Sequence, residues 1–150
     1  EVIWIPVGGW AVSTYKPIAI NRNAGGSAVN QVVRQGKERL AGGMGVVVYP
    51  EGTRMAPGET RKYGVSGALL AKEAGVPVVP IAHNSAYLWQ RRSPLKKKGT
   101  IYVVIGKPID PAGLDPREIN ERAQRWIEGT IAEIIRRPGG NPSGLPPPRL

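Results

Sequence analysis

Short apolar runs take turns with helix-patterned segments along this chain, and that alternation restricts it to a sheet covered by helices. Pro17-Ile18-Ala19-Ile20 reads as a short buried strand, stopped by the polar Asn21-Arg22-Asn23. Ser27 can cap the next segment, where Val29, Val32, Val33, Gly36 and Leu40 recur at helical spacing before Gly42-Gly43 ends it. Val46-Val47-Val48-Tyr49 is β-branched and apolar on both faces, which suits a central strand.

The second half repeats the pattern. A helix is expected from about Ser66 through Ala68-Leu69-Leu70-Ala71-Lys72-Glu73-Ala74, closed by Gly75. Val78 to Ala82 and Ile101 to Ile105 read as strands, the prolines keeping the first near an edge or strand end. Asp115-Pro116-Arg117-Glu118 has the order of a helix start: a capping acid, a proline in the first turn, and a glutamate three residues after the cap. Ile119, Ala123, Trp126, Ile127, Ile131 and Ile134 then line one helical face. The expected fold is an α/β sandwich with a mostly parallel central sheet flanked by helices. Residues 1–137 form its one domain, and residues 138–150, with five prolines and three glycines, read as a disordered tail.

Composition narrows the chemistry. Without cysteine there is no disulfide, thiolate catalysis or Cys-containing zinc site, and the single histidine, His83, rules out a multi-histidine metal centre. No apolar run reaches the ~18 residues needed to cross a bilayer. A net charge of +10 suggests an anionic partner: nucleic acid, an anionic membrane surface or a phosphorylated substrate.

In open α/β sheets ligands sit beyond the carboxyl ends of strands. Two loops fit that position, Asn21-Arg22 and Pro50-Glu51-Gly52-Thr53-Arg54. Pro50 ends its strand, Gly52 permits a tight turn with close approach of a ligand, Thr53 offers a hydroxyl, and Arg54 a planar fork matched to phosphate oxygens. Glu51 either pairs with an arginine or accepts a hydrogen bond from a ligand hydroxyl. Taken alone, the loop reads as a surface turn with a salt bridge.

The order of segments gives it a further meaning. Ile5-Pro6 with Gly9-Trp10 and then Ile18 to Arg22, Tyr49 to Arg54, and Val76-Pro77-Val78-Val79-Pro80-Ile81 together resemble successive blocks of the phospholipid/glycerol acyltransferase family, in particular its bacterial 1-acylglycerol-3-phosphate acyltransferases. Tyr49 to Arg54 is similar to the family's Phe-Pro-Glu-Gly-Thr-Arg block, with Tyr for Phe. The resemblance covers roughly residues 2–136 and is specific because several blocks occur in register.

It implies acyl transfer from a thioester, acyl-carrier protein or coenzyme A, to the hydroxyl of lysophosphatidic acid, giving phosphatidic acid in phospholipid synthesis. It assigns the acceptor phosphate to Arg22 and Arg54, with Gly52 and Thr53 shaping the loop and Glu51 helping to position the acceptor. No metal or bound cofactor is implied. The family's catalytic histidine, four residues and an aspartate belong before Ile5-Pro6, and nothing of that block is present. His83 does not replace it, because position 88 is Leu. A chain opening on Glu1 inside an apolar segment fits an N-terminally truncated protein, so this fragment is expected to be inactive alone. Lys16 and Asn21 stand where many members have Gly and Asp, and the role of Lys62 is left open.

The charge has its own readings. Arg91 to Lys98 holds five bases and no acid, close to Tyr87 and Trp89, a combination suited to a membrane interface. Trp4 and Trp10 with Val2, Ile3, Ile5 and Val7 are either core or an apolar patch that dips into lipid. The expected location is the cytoplasmic face of the bacterial inner membrane. The alternatives are a basic nucleic-acid-binding domain, which lacks any recognised base-reading motif here, and a non-catalytic phosphate-binding remnant.

Overall fold

The computed structural model describes residues 17, 18, 20 and 26–148. The chain divides into two compact units, residues 1–46 and 47–150. In the first, helix α1 runs Gly26–Ala41 and buries Val32, Val33 and Gly36, which fall on one stripe. Its end is closed by the amides of Gly42 on Glu38 O (3.2 Å) and Met44 on Arg39 O (3.0 Å).

In the second unit, α2 (Ser66–Ala74) buries Ala68, Leu70 and Ala71, and Gly75 closes it with its amide on the Ala71 and Lys72 carbonyls. Strand β1 (Ile81–His83) leads into a one-turn helix α3 (Ser85–Leu88), then β2 (Val103–Ile105) and the long helix α4 (Pro116–Ile134). Helix α4 starts as its sequence demands: the Asp115 side chain accepts from the Arg117 amide at 2.8 Å, with proline in the first turn. Its Ile119, Ala123 and Ile134 are buried as α4 packs on β1 and α2.

Strands β1 and β2 are antiparallel, pairing Ile81 with Ile105, Ala82 with Val104 and His83 with Val103. Reciprocal bonds between Val78 and Ile109 (2.9 and 2.8 Å) extend the same ribbon past Pro80, which has no amide to give. Ala82 faces inward and is fully buried, whereas Ile81, Val103 and Ile105 are exposed on the other face. Where the ribbon meets α4 the chain needs Gly106, because a Cβ there would stand 2.8 Å from Trp126 and 2.9 Å from Pro80.

The mostly parallel sheet expected from the alternation is therefore not what the described residues display: their one ladder is two-stranded and antiparallel. A parallel pair needs a crossover, usually a helix long enough to return the chain to the starting end. Residues 84–102 supply only one helical turn and a loop that folds straight back. Val46 to Tyr49 forms no ladder among the described residues, and Val47 and Tyr49 are 78% and 76% exposed. The expected strand Pro17–Ile20 lies partly outside the described residues.

Asn84, at the end of β1, is fully buried and bonded at each end of its amide. Its Nδ2 donates to Thr100 O (3.0 Å) and Gly140 O (2.6 Å), and its Oδ1 accepts from the Tyr102 amide (2.9 Å). The described part of the Pro/Gly-rich segment, residues 138–148, is thereby tied to the ribbon. Tyr87 Oη donates to Pro146 O (2.9 Å), Tyr102 Oη to Pro138 O (2.9 Å), and the Ser143 hydroxyl to the Tyr87 carbonyl.

Candidate functional site

The Glu-Gly-Thr-Arg block is a turn. Tyr49 O accepts from the Gly52 amide at 3.0 Å, with Pro50 at the second position and Gly52 at the fourth with φ +68°. That φ is costly for any residue with a Cβ, which is why glycine stands there. The turn is anchored by Pro50 O, which accepts from the Gly64 amide at 2.8 Å.

Helix α4 holds that anchor in turn. Asn120 Nδ2 donates to Gly64 O (3.2 Å), and Gln124 Nε2 to Arg61 O (3.4 Å) and to Glu128 Oε1 (2.8 Å). Spaced four apart, these three residues form one polar ridge on the helix. Sequence reasoning tracked only the apolar stripe of α4. The Asn-Gln-Glu ridge was visible as a second period of four, but not what it would touch.

Turn and ridge each carry a partly buried carboxyl, Glu51 and Glu128. Glu51 is half-buried, and loss of water lifts its carboxyl above the ordinary range, with the charge of Glu128 adding to the rise. Among the described residues Glu51 makes no ion pair. Tyr63 is buried, and desolvation followed by the charges of Glu51 and Glu128 drives its phenol well above the usual tyrosine range. Nearby, Thr53 is half-buried and Lys62 exposed.

Arg54 is exposed. Its guanidinium lies over the Trp89 ring, 5.7 Å from the centroid, and Lys96 Nζ lies over the same ring at 4.5 Å. The Trp89 indole is fixed by its Nε1, which donates to Ser93 O at 2.8 Å. The cationic loop after α3 thus meets the Glu-Gly-Thr-Arg turn at one aromatic ring, a contact that sequence reasoning did not anticipate.

Arg22 and the N-terminal apolar patch with Trp4 and Trp10 lie outside the described residues. His83 is exposed, with Nδ1 2.9 Å from the Ser85 hydroxyl, and position 88 is a buried leucine. Among the described residues no group of His, Cys, Asp and Glu side chains could hold a metal ion, and no helix is long and apolar enough to cross a membrane.

A glycine turn that presents an arginine beside a helix-backed ribbon fits an acyltransferase-type domain, and the comparisons support that family. Residues 1–84, more than half of the chain, match the family described as Acyltransferase, and the chain belongs to that family. Over 137 residues it is 43% identical to the 1-acyl-sn-glycerol-3-phosphate acyltransferase of Pseudomonas aeruginosa, covering 89% of this chain and 53% of that protein. It is 25% identical over 126 residues to the human 1-acyl-sn-glycerol-3-phosphate acyltransferase beta, covering 81% of this chain and 45% of that protein. The crystal structure of the 1-acyl-sn-glycerophosphate (LPA) acyltransferase PlsC from Thermotoga maritima superimposes with a TM-score of 0.74 at 22% identity, over 91% of this chain and 55% of that one. The glycerolipid acyltransferase fold is shared. The chain spans about half the length of the curated relatives it matches.

Proposed function

We propose that the whole protein moves a fatty acyl group from acyl-carrier protein or coenzyme A to the free hydroxyl of 1-acylglycerol-3-phosphate, giving phosphatidic acid in phospholipid synthesis. The observation that carries this reading is the Tyr49–Gly52 turn, which leaves the Arg54 guanidinium exposed beside Trp89 and Lys96 while Glu51 turns inward. A guanidinium presented on a glycine turn suits a phosphate, which it meets with parallel N–H···O bonds. Arg22 is the second phosphate ligand in this reading, Thr53 lends a hydroxyl, and Glu51 positions the acceptor.

In the reaction the acceptor oxygen bonds to the thioester carbonyl carbon as a base takes its proton. The tetrahedral oxyanion collapses, the C–S bond breaks, and the leaving sulfur takes up the proton. That base is a histidine oriented by a carboxylate. His83 has a hydroxyl, not a carboxylate, as its described partner, and Leu88 stands where the acid would be. This chain made alone is therefore expected to form no phosphatidic acid, and formation above a blank would overturn that expectation.

We place the protein on the cytoplasmic face of the bacterial inner membrane. Support comes from the basic loop, where Leu95 and Trp89 are 77% and 47% exposed among the cations. Each such cation near an anionic surface contributes on the order of 1 kcal/mol. The functional reading is tested by Arg54→Ala in the whole protein. A lost charge-assisted phosphate contact is worth ~1.5–3 kcal/mol, so kcat/KM for lysophosphatidic acid should fall by roughly 10- to 150-fold. An unchanged kcat/KM would remove Arg54 from the site.

A further inference from the structure

Trp89 carries two cations on one ring. Arg54 comes from the glycine turn and Lys96 from the loop after α3, at 5.7 and 4.5 Å from the ring centroid. Among the described residues neither takes part in an ion pair, and residues 91–98 contain no acid to neutralise them. Those two distances keep the charges within about 10 Å of each other, near enough for a single anion at the ring's edge to be attracted by both. The ring itself is not free to swing, because its Nε1 is bonded to Ser93 O and the Ser93 hydroxyl in turn bonds both the amide (3.2 Å) and the carbonyl (3.1 Å) of Leu95, the residue before Lys96. The indole, the loop and Lys96 are thus one locally braced unit abutting Arg54.

The ligand's charge decides what such a pair discriminates. A phosphomonoester carries about −1.5 to −2 at neutral pH, with its second ionisation near pH 6, and presents three terminal oxygens. A phosphodiester lipid carries one charge and two such oxygens. Each terminal oxygen accepts more than one hydrogen bond, so the third oxygen and second charge of a monoester give a compact ammonium a place beside the arginines that a diester offers less well.

We propose that Lys96 is a further cation of the acceptor site beside the two arginines, selecting phosphomonoester over phosphodiester lysolipids, and that Trp89 is the residue that positions it together with Arg54. This rests on reading Arg54 as the phosphate ligand. Lys96 is the residue that makes the site specific, and Trp89 acts only through the two cations it carries.

The test uses the whole protein with matched oleoyl lysophosphatidic acid and lysophosphatidylglycerol as acceptors, each in neutral-detergent mixed micelles at fixed surface concentration. Lys96→Met should cut the monoester-to-diester ratio of kcat/KM by about tenfold, the size of one charge-assisted contact. It should act mainly through KM, and it should flatten the gain in monoester preference expected of the wild type from about pH 5.5 to 7.5 as the second phosphate proton is lost. Trp89→Leu should reproduce part of that loss, and Trp89→Phe, which keeps a ring face, should restore most of it. Lys98→Met removes the same charge from the same loop and should leave the ratio near wild type.

An unchanged ratio in Lys96→Met, or an equal fall in Lys98→Met, overturns the proposal. Arg54→Met separates the two readings. If it weakens acceptor use while Lys96→Met leaves the ratio intact, only the selectivity role fails. If it changes nothing, the phosphate site itself is misplaced and the selectivity role falls with it.

Discussion

Replacing Asn84 by alanine removes a fully buried amide that joins three stretches of backbone. The bond to Gly140 O lies in the interior, so the abandoned carbonyl costs ~1–3 kcal/mol for want of water. The bonds at Thr100 O and the Tyr102 amide are part-buried, and water recovers most of each, leaving ~0.5–1.5 kcal/mol apiece. The expected loss is roughly 2–6 kcal/mol, and at its centre of about 4 kcal/mol Tm falls by roughly 8–16 °C for a chain of this size. Urea unfolding followed by tryptophan fluorescence measures it, and hydrogen exchange at the Tyr102 amide gives a local check, since that proton should lose protection first. Asn84→Asp sharpens the test. It keeps the acceptor facing Tyr102 but turns a carboxylate toward two carbonyls, so its pKa must rise on folding. Stability of that variant is then highest at acid pH and falls as pH climbs through the folded pKa. An alanine variant within about 1 kcal/mol of wild type, or an Asp variant equally stable at pH 5 and pH 7, would refute the assignment of Asn84 as the buried tie.

Glu51 gives a second pH signature. Because burial, and then Glu128, raise its folded pKa above the unfolded value, the folded state holds that proton more tightly and loses stability as pH rises past the ordinary carboxylate range. Glu51→Gln should therefore melt higher than wild type at pH 7, with the gap closing toward pH 4; a gap constant with pH would contradict the burial argument. Gly106→Ala forces a methyl to within 2.8 Å of Trp126 and 2.9 Å of Pro80, so overpacking should cost ~1–3 kcal/mol in a chemical melt, and a neutral result would mean the ribbon and α4 have slack there.

Helices were the legible part of this fold because their signals are local. The Asp115-Pro116-Arg117-Glu118 start, the Gly75 stop and the glycine pair after Ala41 each act within a few residues of the end they fix, and the helices begin and end beside them. Sheet pairing is not local. The run Val46 to Tyr49 has the composition of a central strand yet takes part in no ladder among the described residues, whereas Ile81 to His83 pairs with Val103 to Ile105 despite the prolines beside it. Composition likewise marked residues 138–150 as disordered. It carried no hint that the described part meets Asn84, Tyr87 and Tyr102, whose polar atoms bond its carbonyls.

The candidate site divides along the same line. Gly52, Thr53 and Arg54 could be singled out because a glycine turn that ends in an arginine is a chemical statement within a few residues. What the sequence did not disclose is what the turn leans on. Its inner side rests, through Gly64 and Arg61, on Asn120 and Gln124 some sixty residues later, and its outer side rests on Trp89. These two supports have opposite electrostatic character. The inner one is acidic and poorly solvated, which raises the Glu51 carboxyl above its ordinary range; the outer one is cationic and open to water. An anion approaching from solvent is thus drawn to Arg54 and Lys96, neither of which is paired with an acid among the described residues. Glu128→Gln removes one of the two causes of the raised Glu51 carboxyl, so the Glu51 pKa should fall toward the ordinary carboxylate range, and an unchanged Glu51 titration followed by NMR would contradict the pairing of these two acids behind the turn.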